Sequence, residues 1–328
     1  EFPDRLSKVT IEPVRVPNTG LADQPIRGAA IARRAKRIAE RTDGTLQFEH
    51  STLGGIGQLF GAQEYVLDMH DLAFESPLYG NLPLGSLIQH TIRRIEGQAV
   101  RNASEIIVVS NQMRNLVSEA WNISPTSITV IPNGYFSEEI KPYRTIETVP
   151  GRVVFLGTLH PKLDPKAFFE IAELPEVDEL VVIGDGAKRE ALDDGKDERG
   201  LGALRITGRL PDDEAFKLVA SAAIAINPQR SSDLQRASSP VKLYYYAALG
   251  APMIVSAGPS LVDEFDEAGA AVAVAPGGSF VKAVQKVLRD EERGQMGRSA
   301  EQIATEMSWE GRVESLAHRS EVDRCPRL

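Results

Sequence analysis

Residues 152–157, Arg-Val-Val-Phe-Leu-Gly, are apolar at four successive positions and stop at a glycine, and Leu180-Val-Val-Ile183 followed by Gly184-Asp185-Gly186 repeats the arrangement. A strand with one wet face alternates apolar and polar side chains. A strand apolar at every position is covered on both faces, as a parallel strand is between two layers of helices. Short runs of this kind recur at 9–16, 47–50, 65–70, 105–110 and 128–131, then at 152–156, 179–183, 204–207, 223–227, 252–256 and 271–274. Longer segments of helical period separate them, and that alternation marks βα units. The predicted fold class is α/β, with two doubly wound, Rossmann-like parallel-sheet domains.

The division into two rests on the segment between Lys141 and Gly151, where Pro142 and Pro150 flank polar residues of neither period, the composition of an interdomain linker. A chain of 328 residues is also about two domains long. The expected organisation is a first domain over 1–145, a second over 146–305, and a closing helical segment over 306–328. The chain opens on Glu1 rather than Met, and 9–16 reads as a later strand of its sheet. The first domain is therefore expected to lack its opening strand and glycine-rich loop.

Composition removes several classes of function. Hydrophobic residues at 42% and charged residues at 25% are globular values, and no run approaches the roughly 18 apolar residues of a membrane-spanning helix. Lys+Arg 37 against Asp+Glu 46 leaves a net charge of −9, which argues against nucleic acid as a partner. Cys325 is the single cysteine, so no intrachain disulfide is available and a cytoplasmic location is the default. Residues 27–41 form a helix carrying Arg33, Arg34, Lys36, Arg37 and Arg41; it reads either as a solvated surface helix or as a peripheral contact with the inner face of a membrane.

In open α/β sheets ligands bind beyond the carboxyl ends of the strands. Four such loops are rich in Gly, Ser and Pro. In Gly157-Thr158-Leu-His160-Pro-Lys162 the glycine admits close backbone approach and the lysine offers a charge to phosphate. Ile183-Gly-Asp-Gly186 is a tight turn into a helix but lacks the third glycine of a dinucleotide fingerprint. Thr207-Gly208-Arg209-Leu210-Pro-Asp-Asp213 exposes backbone that can edge a flat base, and its acids suit the first turn of a helix. In the fourth loop, Ser238-Ser239-Pro240-Val241-Lys242, Ser239 fits a helix N-cap and Pro240 the first helical position, with Gly250 closing the helix. The free amides of that N-terminus, beside Lys242 and Arg236, make a cradle for a diphosphate. Ser51-Thr-Leu-Gly-Gly-Ile-Gly57 is glycine-rich too, but no Lys-Ser/Thr follows it and it is not a P-loop.

Taken in order, these segments resemble the retaining glycosyltransferases of GT-B fold, of the family 4 or "group 1" type. The resemblance spans nearly the whole chain. It is carried by Leu67-Asp-Met-His70-Asp71, Ala103-Ser-Glu-Ile-Ile-Val-Val-Ser110, Ile128-Thr-Val-Ile-Pro-Asn133-Gly134, Val154-Phe-Leu-Gly157-Thr-Leu, Leu180-Val-Val-Ile-Gly-Asp-Gly186, Gly208-Arg-Leu-Pro and Ser239-Pro-Val-Lys-Leu243. Ser308-Trp309-Glu310 is similar to the entry of the family's terminal helix, which returns to the first domain. The resemblance implies two domains facing a cleft and a UDP- or GDP-sugar donor held by the second. A glycan or lipid-linked acceptor would sit on the first, and a hexose would be transferred with retained configuration. It implies neither metal nor cofactor; the sequence has no Asp-x-Asp, and its five histidines are scattered.

Carried over by position, His70 and Lys162 become the candidate catalytic residues. Gly157, Thr158, Gly208, Arg209, Leu210, Arg230, Ser239, Pro240, Val241 and Tyr245 become the candidate donor-binding residues, and Asn133, Gly134 and His160 line the cleft. The loop departs from the family in having Thr158 after the glycine and its lysine one position early, which leaves the diphosphate clamp to Lys162, Lys166 or Arg230. The family's paired glutamates fall on Ala237 and Tyr245, so neither carboxylate is present. A phenol at 245 replaces only part of the second glutamate's bonding to ribose. Two other readings share the frame: a sugar-nucleotide epimerase, which needs a carboxylate pair that the sequence does not offer, and a non-catalytic sugar-nucleotide-binding protein, which the missing glutamates favour.

Overall fold

In a computed structural model describing residues 14, 24–76, 79, 84–230, 232–291 and 293–313, the strands expected from 47 onward are all present. The strand expected at 9–16 and Cys325 lie outside the described residues. The chain divides into two compact units. The first takes the described residues up to Val109 together with Met113–Val130; the second takes Ser110–Gln112 and everything from Ile131.

The first unit holds α1 (Gln24–Thr42), β1 (Leu46–Phe48), α2 (Ser51–Leu59), β2 (Tyr65–Met69), α3 (Gly85–Asn102), β3 (Glu105–Val108), most of α4 (Asn111–Trp121) and β4 (Ile128–Val130). Its strands lie in the order β1-β2-β3-β4, every pair parallel. Among the described residues this sheet runs in one direction, without a reversal. His50, His70 and Ser110, predicted as strand ends, fall just past the ladder. Pairing stops at Phe48↔Leu67 and Met69↔Val108, although Val109 beyond it stays buried. The stretch Ser51–Gly57 is the body of α2, and its glycines serve packing. A Cβ on Gly55 would stand 2.3 Å from the Ile95 carbonyl oxygen and one on Gly57 2.5 Å from the Phe48 ring.

The second unit holds α5 (Ser137–Ile140), β5 (Arg152–Leu156), α6 (Pro165–Ala172), β6 (Glu179–Ile183), α7 (Arg189–Arg199), β7 (Leu204–Gly208), α8 (Asp212–Ala220), β8 (Ile224–Asn227), α9 (Asp233–Ala237), α10 (Val241–Ala248), β9 (Met253–Ser256), α11 (Ser260–Glu267), β10 (Ala271–Val274), α12 (Phe280–Arg289) and α13 (Arg293–Ala304). Its sheet, β10-β9-β8-β5-β6-β7, is doubly wound: the chain starts at β5, builds outward to β7, then reverses to β8 on the other side. Val153 and Phe155 enter one fully buried core with Leu180, Val182 and Phe168, while Val154 enters the opposite core with Val181, Leu243 and Tyr246. Each such large side chain contributes about 1.5–3 kcal/mol by leaving water.

Local chemistry sets the helix ends. Asp164 accepts the Lys166 amide at 3.3 Å ahead of Pro165 at the start of α6, and α7 ends at Gly200 with φ +63°. Asp212, Asp213 and Glu214 fill the first turn of α8, as predicted, where the helix dipole favours anions. Tyr135 and Ile140, which precede the proline-flanked 142–150 segment, are fully buried in the core of this second unit. Residues 309–313 are helical, with the Trp309 amide donating to the Tyr135 carbonyl at 2.9 Å; the rest of the expected terminal helix lies outside the described residues.

Candidate functional site

The reversal of strand order puts a switch point between β5 and β8, where neighbouring loops leave in opposite directions and a crevice opens. Pairing of these two strands stops at Val154↔Ala225. Beyond it the fully buried Tyr246 fills the gap: its hydroxyl accepts the Leu156 amide at 2.7 Å and reaches the Ile226 carbonyl at 3.4 Å. Burial in this core drives the Tyr246 phenol far above its ordinary pKa, so it stays protonated.

Next to the crevice the loops after β5, β6 and β7 are laced together by backbone. Gly157 donates to Ile183, Gly184 to Gly208, and Leu159 to Asp185, all at 2.8–3.0 Å. Gly157 and Gly184 have φ of +130° and +140°, and a Cβ on Gly184 would stand 2.0 Å from the Gly157 carbonyl oxygen. Only glycine meets both demands, of dihedral and of space. The "tight turn" glycines thus form one continuous ledge.

Cations gather on this ledge. The Lys242 ammonium, from the first turn of α10, lies 4.1 Å over the Phe155 ring and beneath Gly157, where an added Cβ would be 2.9 Å from Nζ. The side chain is partly buried, and the loss of water pushes its pKa down to about 7. Among the described residues it has no carboxylate partner. The His160 imidazole is lowered too, first by burial and then by the charges of Lys162 and Lys242, while its Nδ1 sits 3.4 Å from the Lys162 amide. Three basic side chains therefore share a small region of one loop cluster. The Lys162 carbonyl accepts the Arg230 amide at 3.0 Å, which ties the β5 and β8 loops. Lys166, the alternative clamp, is exposed and paired with Glu170 at 3.3 Å. Lys242 was not among the residues expected to bind the donor; its position in the first turn of a helix, two past Pro240, was the available signal.

The remaining donor-side candidates divide. Thr158, Arg209, Arg230 and Val241 are exposed, and Gly208, with φ +74°, is half-buried. Leu210 instead packs against the apolar core, which leaves only its backbone to a ligand. A cavity of about 310 Å³ adjoins Arg230, lined also by Asp164, Gln229, Ser256 and Gly277; it lies beyond β8, β9 and β10 rather than over the glycine ledge.

Two readings of the Ser239 loop need correction. Ser239 is not the N-cap of α10: Pro240 occupies that place and Val241 is the first helical residue. The buried Ser239 hydroxyl is 2.7 Å from the Tyr244 hydroxyl and accepts the Asn133 amide at 3.2 Å, while the Asn133 side chain donates to the Ser239 carbonyl at 2.7 Å. With its oxygen engaged there, Ser239 leaves the amides of the α10 N-terminus uncapped by a side chain. Gly134 has no room for a side chain, since its Cβ would meet the Met307 carbonyl at 2.7 Å. The Tyr245 ring stacks on Phe216 at 5.0 Å and its hydroxyl donates to Glu139 at 2.9 Å. A carboxylate from α5 thus stands beside Tyr245.

In the first unit, His70 is exposed just beyond β2, its Nε2 3.5 Å from Asp68. The hydrogen bond to Asp68 raises its pKa above the ordinary value, burial opposes this, and the charges of Asp68, Glu49 and Asp71 add to the rise. The imidazole is therefore the more basic of the two candidate histidines.

Comparison with known proteins agrees with this architecture. Residues 4–134 match the family model "Glycosyl transferase 4-like domain" and residues 166–318 match "Glycosyl transferase-like". Among solved structures the chain is similar to sucrose-phosphate synthase from Thermosynechococcus elongatus, with TM-score 0.73 and 17% identity over 94% of this chain and 80% of that one. It is also similar to Anabaena HepE, solved in complex with UDP-glucose, with TM-score 0.69 and 16% identity over 94% and 86%. For WaaG, a glycosyltransferase involved in lipopolysaccharide biosynthesis, the TM-score is 0.64, with 12% identity over 89% and 81%. No curated protein sequence matches the chain. With a family match in each half and two parallel-sheet α/β units, the chain belongs to the glycosyltransferases of GT-B fold.

Proposed function

We propose that this glycosyltransferase takes a hexose from a UDP- or GDP-sugar and transfers it, with retained configuration, to a glycan or lipid-linked acceptor. The second unit binds the donor and the first unit receives the acceptor. The observation that carries the reading is the placement of Lys242, Lys162 and His160 on the glycine ledge with, among the described residues, no carboxylate bonded to Lys242. A lysine held out of water without a counter-ion is costly unless a ligand supplies the charge. A diphosphate supplies it, and its negative charge grows as the sugar departs, so preorganised cations and the amides of α10 favour the transition state over the ground state. In this reading Lys162 and Lys242 stabilise the leaving group in place of a metal ion. The backbone at Gly208 and Arg209 edges the base, Val241 offers an amide to the diphosphate, and Thr158 and Arg230 complete the donor side, Arg230 as a further cation for the diphosphate. His70 acts in the first unit as the catalytic side chain that contacts the transferred sugar. HepE, crystallised with UDP-glucose, supports the donor class.

A second reading, a sugar-nucleotide-binding protein without turnover, is favoured by one observation: Ala237 is apolar and fully buried, and the Tyr245 hydroxyl is engaged with Glu139. Incubating the protein with UDP-glucose, UDP-N-acetylglucosamine and GDP-mannose in EDTA, and following nucleoside diphosphate release with lipid and glycan acceptors, separates the two. Release with transfer is expected from the first reading, binding without release from the second, and absence of binding to any donor overturns both. Among the described residues no helix is long and apolar enough to cross a membrane. We propose a cytoplasmic enzyme that meets a lipid-linked acceptor peripherally through the exposed arginines of α1.

A further inference from the structure

Among the described residues Glu96, on α3, is the one charged side chain that is fully buried. Its carboxylate is fully occupied. One oxygen accepts the Ser51 hydroxyl and the Ala73 amide, the latter at 2.9 Å, and the other accepts the Phe74 amide at 3.0 Å. Burial pushes this carboxyl up from its ordinary pKa, while the three donors and the nearby His50 pull it back. The close α2–α3 contact that brings Ser51 within reach is made by Gly55 against the Ile95 carbonyl.

These partners lie at two informative places. Ser51 is the first residue of α2 and directly follows the loop beyond β1. Ala73 and Phe74 begin the short turn after β2, and only His70, Asp71 and Leu72 separate that turn from the strand. The turn is held at its ring as well as its backbone: Phe74 packs edge-on to Trp121 at 5.8 Å, and the Arg93 guanidinium lies 5.2 Å over it. One carboxylate therefore fastens together the loops beyond the carboxyl ends of two adjacent parallel strands, the edge where such sheets bind ligands.

We propose that Glu96 is a positioning residue: it locks the turn after β2 against the start of α2 and so fixes the orientation in which His70 meets the hydroxyl-bearing substrate. The inference rests on the placement of His70 in the reading above. Both backbone groups facing Glu96 are donors, so their partner must accept at both oxygens. A Glu96→Gln variant keeps the shape but turns an amide NH2 toward one of them, which loosens the strap without creating a cavity.

The test is NMR titration of the His70 imidazole, with hydrogen exchange at the Ala73 and Phe74 amides, in the full chain and in Glu96→Gln. Turnover and donor binding are measured alongside. The expected result is faster exchange at both amides and a His70 midpoint moved back toward its ordinary value as the Asp68 contact loosens. With it, kcat falls by about 10- to 100-fold at unchanged donor affinity, the loss that a small misplacement of a reacting group produces. A folded Glu96→Gln variant with wild-type His70 titration and wild-type kcat overturns the proposal. A moved His70 titration with turnover insensitive to His70→Ala supports the strap and overturns only the catalytic assignment of His70. If Glu96→Gln does not fold, Ser51→Ala, which leaves both amide bonds in place, is expected to shift His70 in the same direction by less; no shift in that variant overturns the strap.

Discussion

Lys242 shows how one side chain is set at odds with its surroundings. Its pKa of about 7 arises from lost hydration, with Phe155 beneath and no carboxylate partner among the described residues. Two predictions follow in opposite directions. In our reading the charged form binds a diphosphate, so affinity for UDP or GDP is expected to fall as pH rises through 7, with proton uptake on binding at pH 8, measurable by calorimetry in buffers of different ionisation enthalpy. For stability the sign reverses. Between about 7 and the ordinary 10.5 the unfolded chain holds a proton that the folded chain has lost, so this residue's contribution is most favourable above 10.5 and is lost as pH falls toward 7. Lys242→Met is therefore expected to raise stability near neutral pH, with the advantage shrinking as pH approaches 10.5, followed by thermal unfolding across that range. A variant that is more stable and yet binds donor poorly marks a residue kept for function.

At the scale of elements, the sequence carried the strands and most of the helices because their signals are local. Runs buried on both faces and acids at the start of α8 act within a few residues. What it missed depended on distant partners. Ser239 has the composition of a cap, but Asn133 and Tyr244 claim its hydroxyl, and neither is visible from the loop alone. The glycines of α2, excluded as a P-loop from the sequence, owe their presence to Ile95 and Phe48, which leave no room for a side chain and which the local sequence does not show. Glu139 reaches Tyr245 only through the fold. Tyr246 gives a prediction at this scale: it plugs the end of the β5–β8 ladder, so Tyr246→Phe leaves the buried Leu156 amide unsatisfied. A loss of about 1–3 kcal/mol is expected in denaturant unfolding. Gly184→Ala, which drives a Cβ into the Gly157 carbonyl at an unfavourable φ, is expected to cost more than about 2 kcal/mol in the same assay and to reduce diphosphate binding, because it moves the ledge itself.

At the scale of the whole molecule, two parallel-sheet units and a family match in each half make the enzyme class plain. The basic cluster of Lys162, Lys242 and His160 gathers on the glycine ledge that carries the donor in our reading, and Ala237 and Tyr245 stand where the sequence resemblance leads one to expect two carboxylates. The order of weak motifs along the chain was readable in advance, since each sits in a loop beyond a strand that the apolar runs define. That Lys242 stands under Gly157 was not, because it depends on how α10 packs against the loop after β5. The most direct measurement is calorimetric titration of UDP and GDP, at pH 6.5 and 8.5, into the wild-type chain and into Lys242→Met. The account predicts binding of at least one of the two by the wild type, weaker at the higher pH, and a loss of about tenfold or more in the variant with the pH dependence gone, the scale of one charge-assisted contact. Equal affinity in both proteins at both pH values would contradict it.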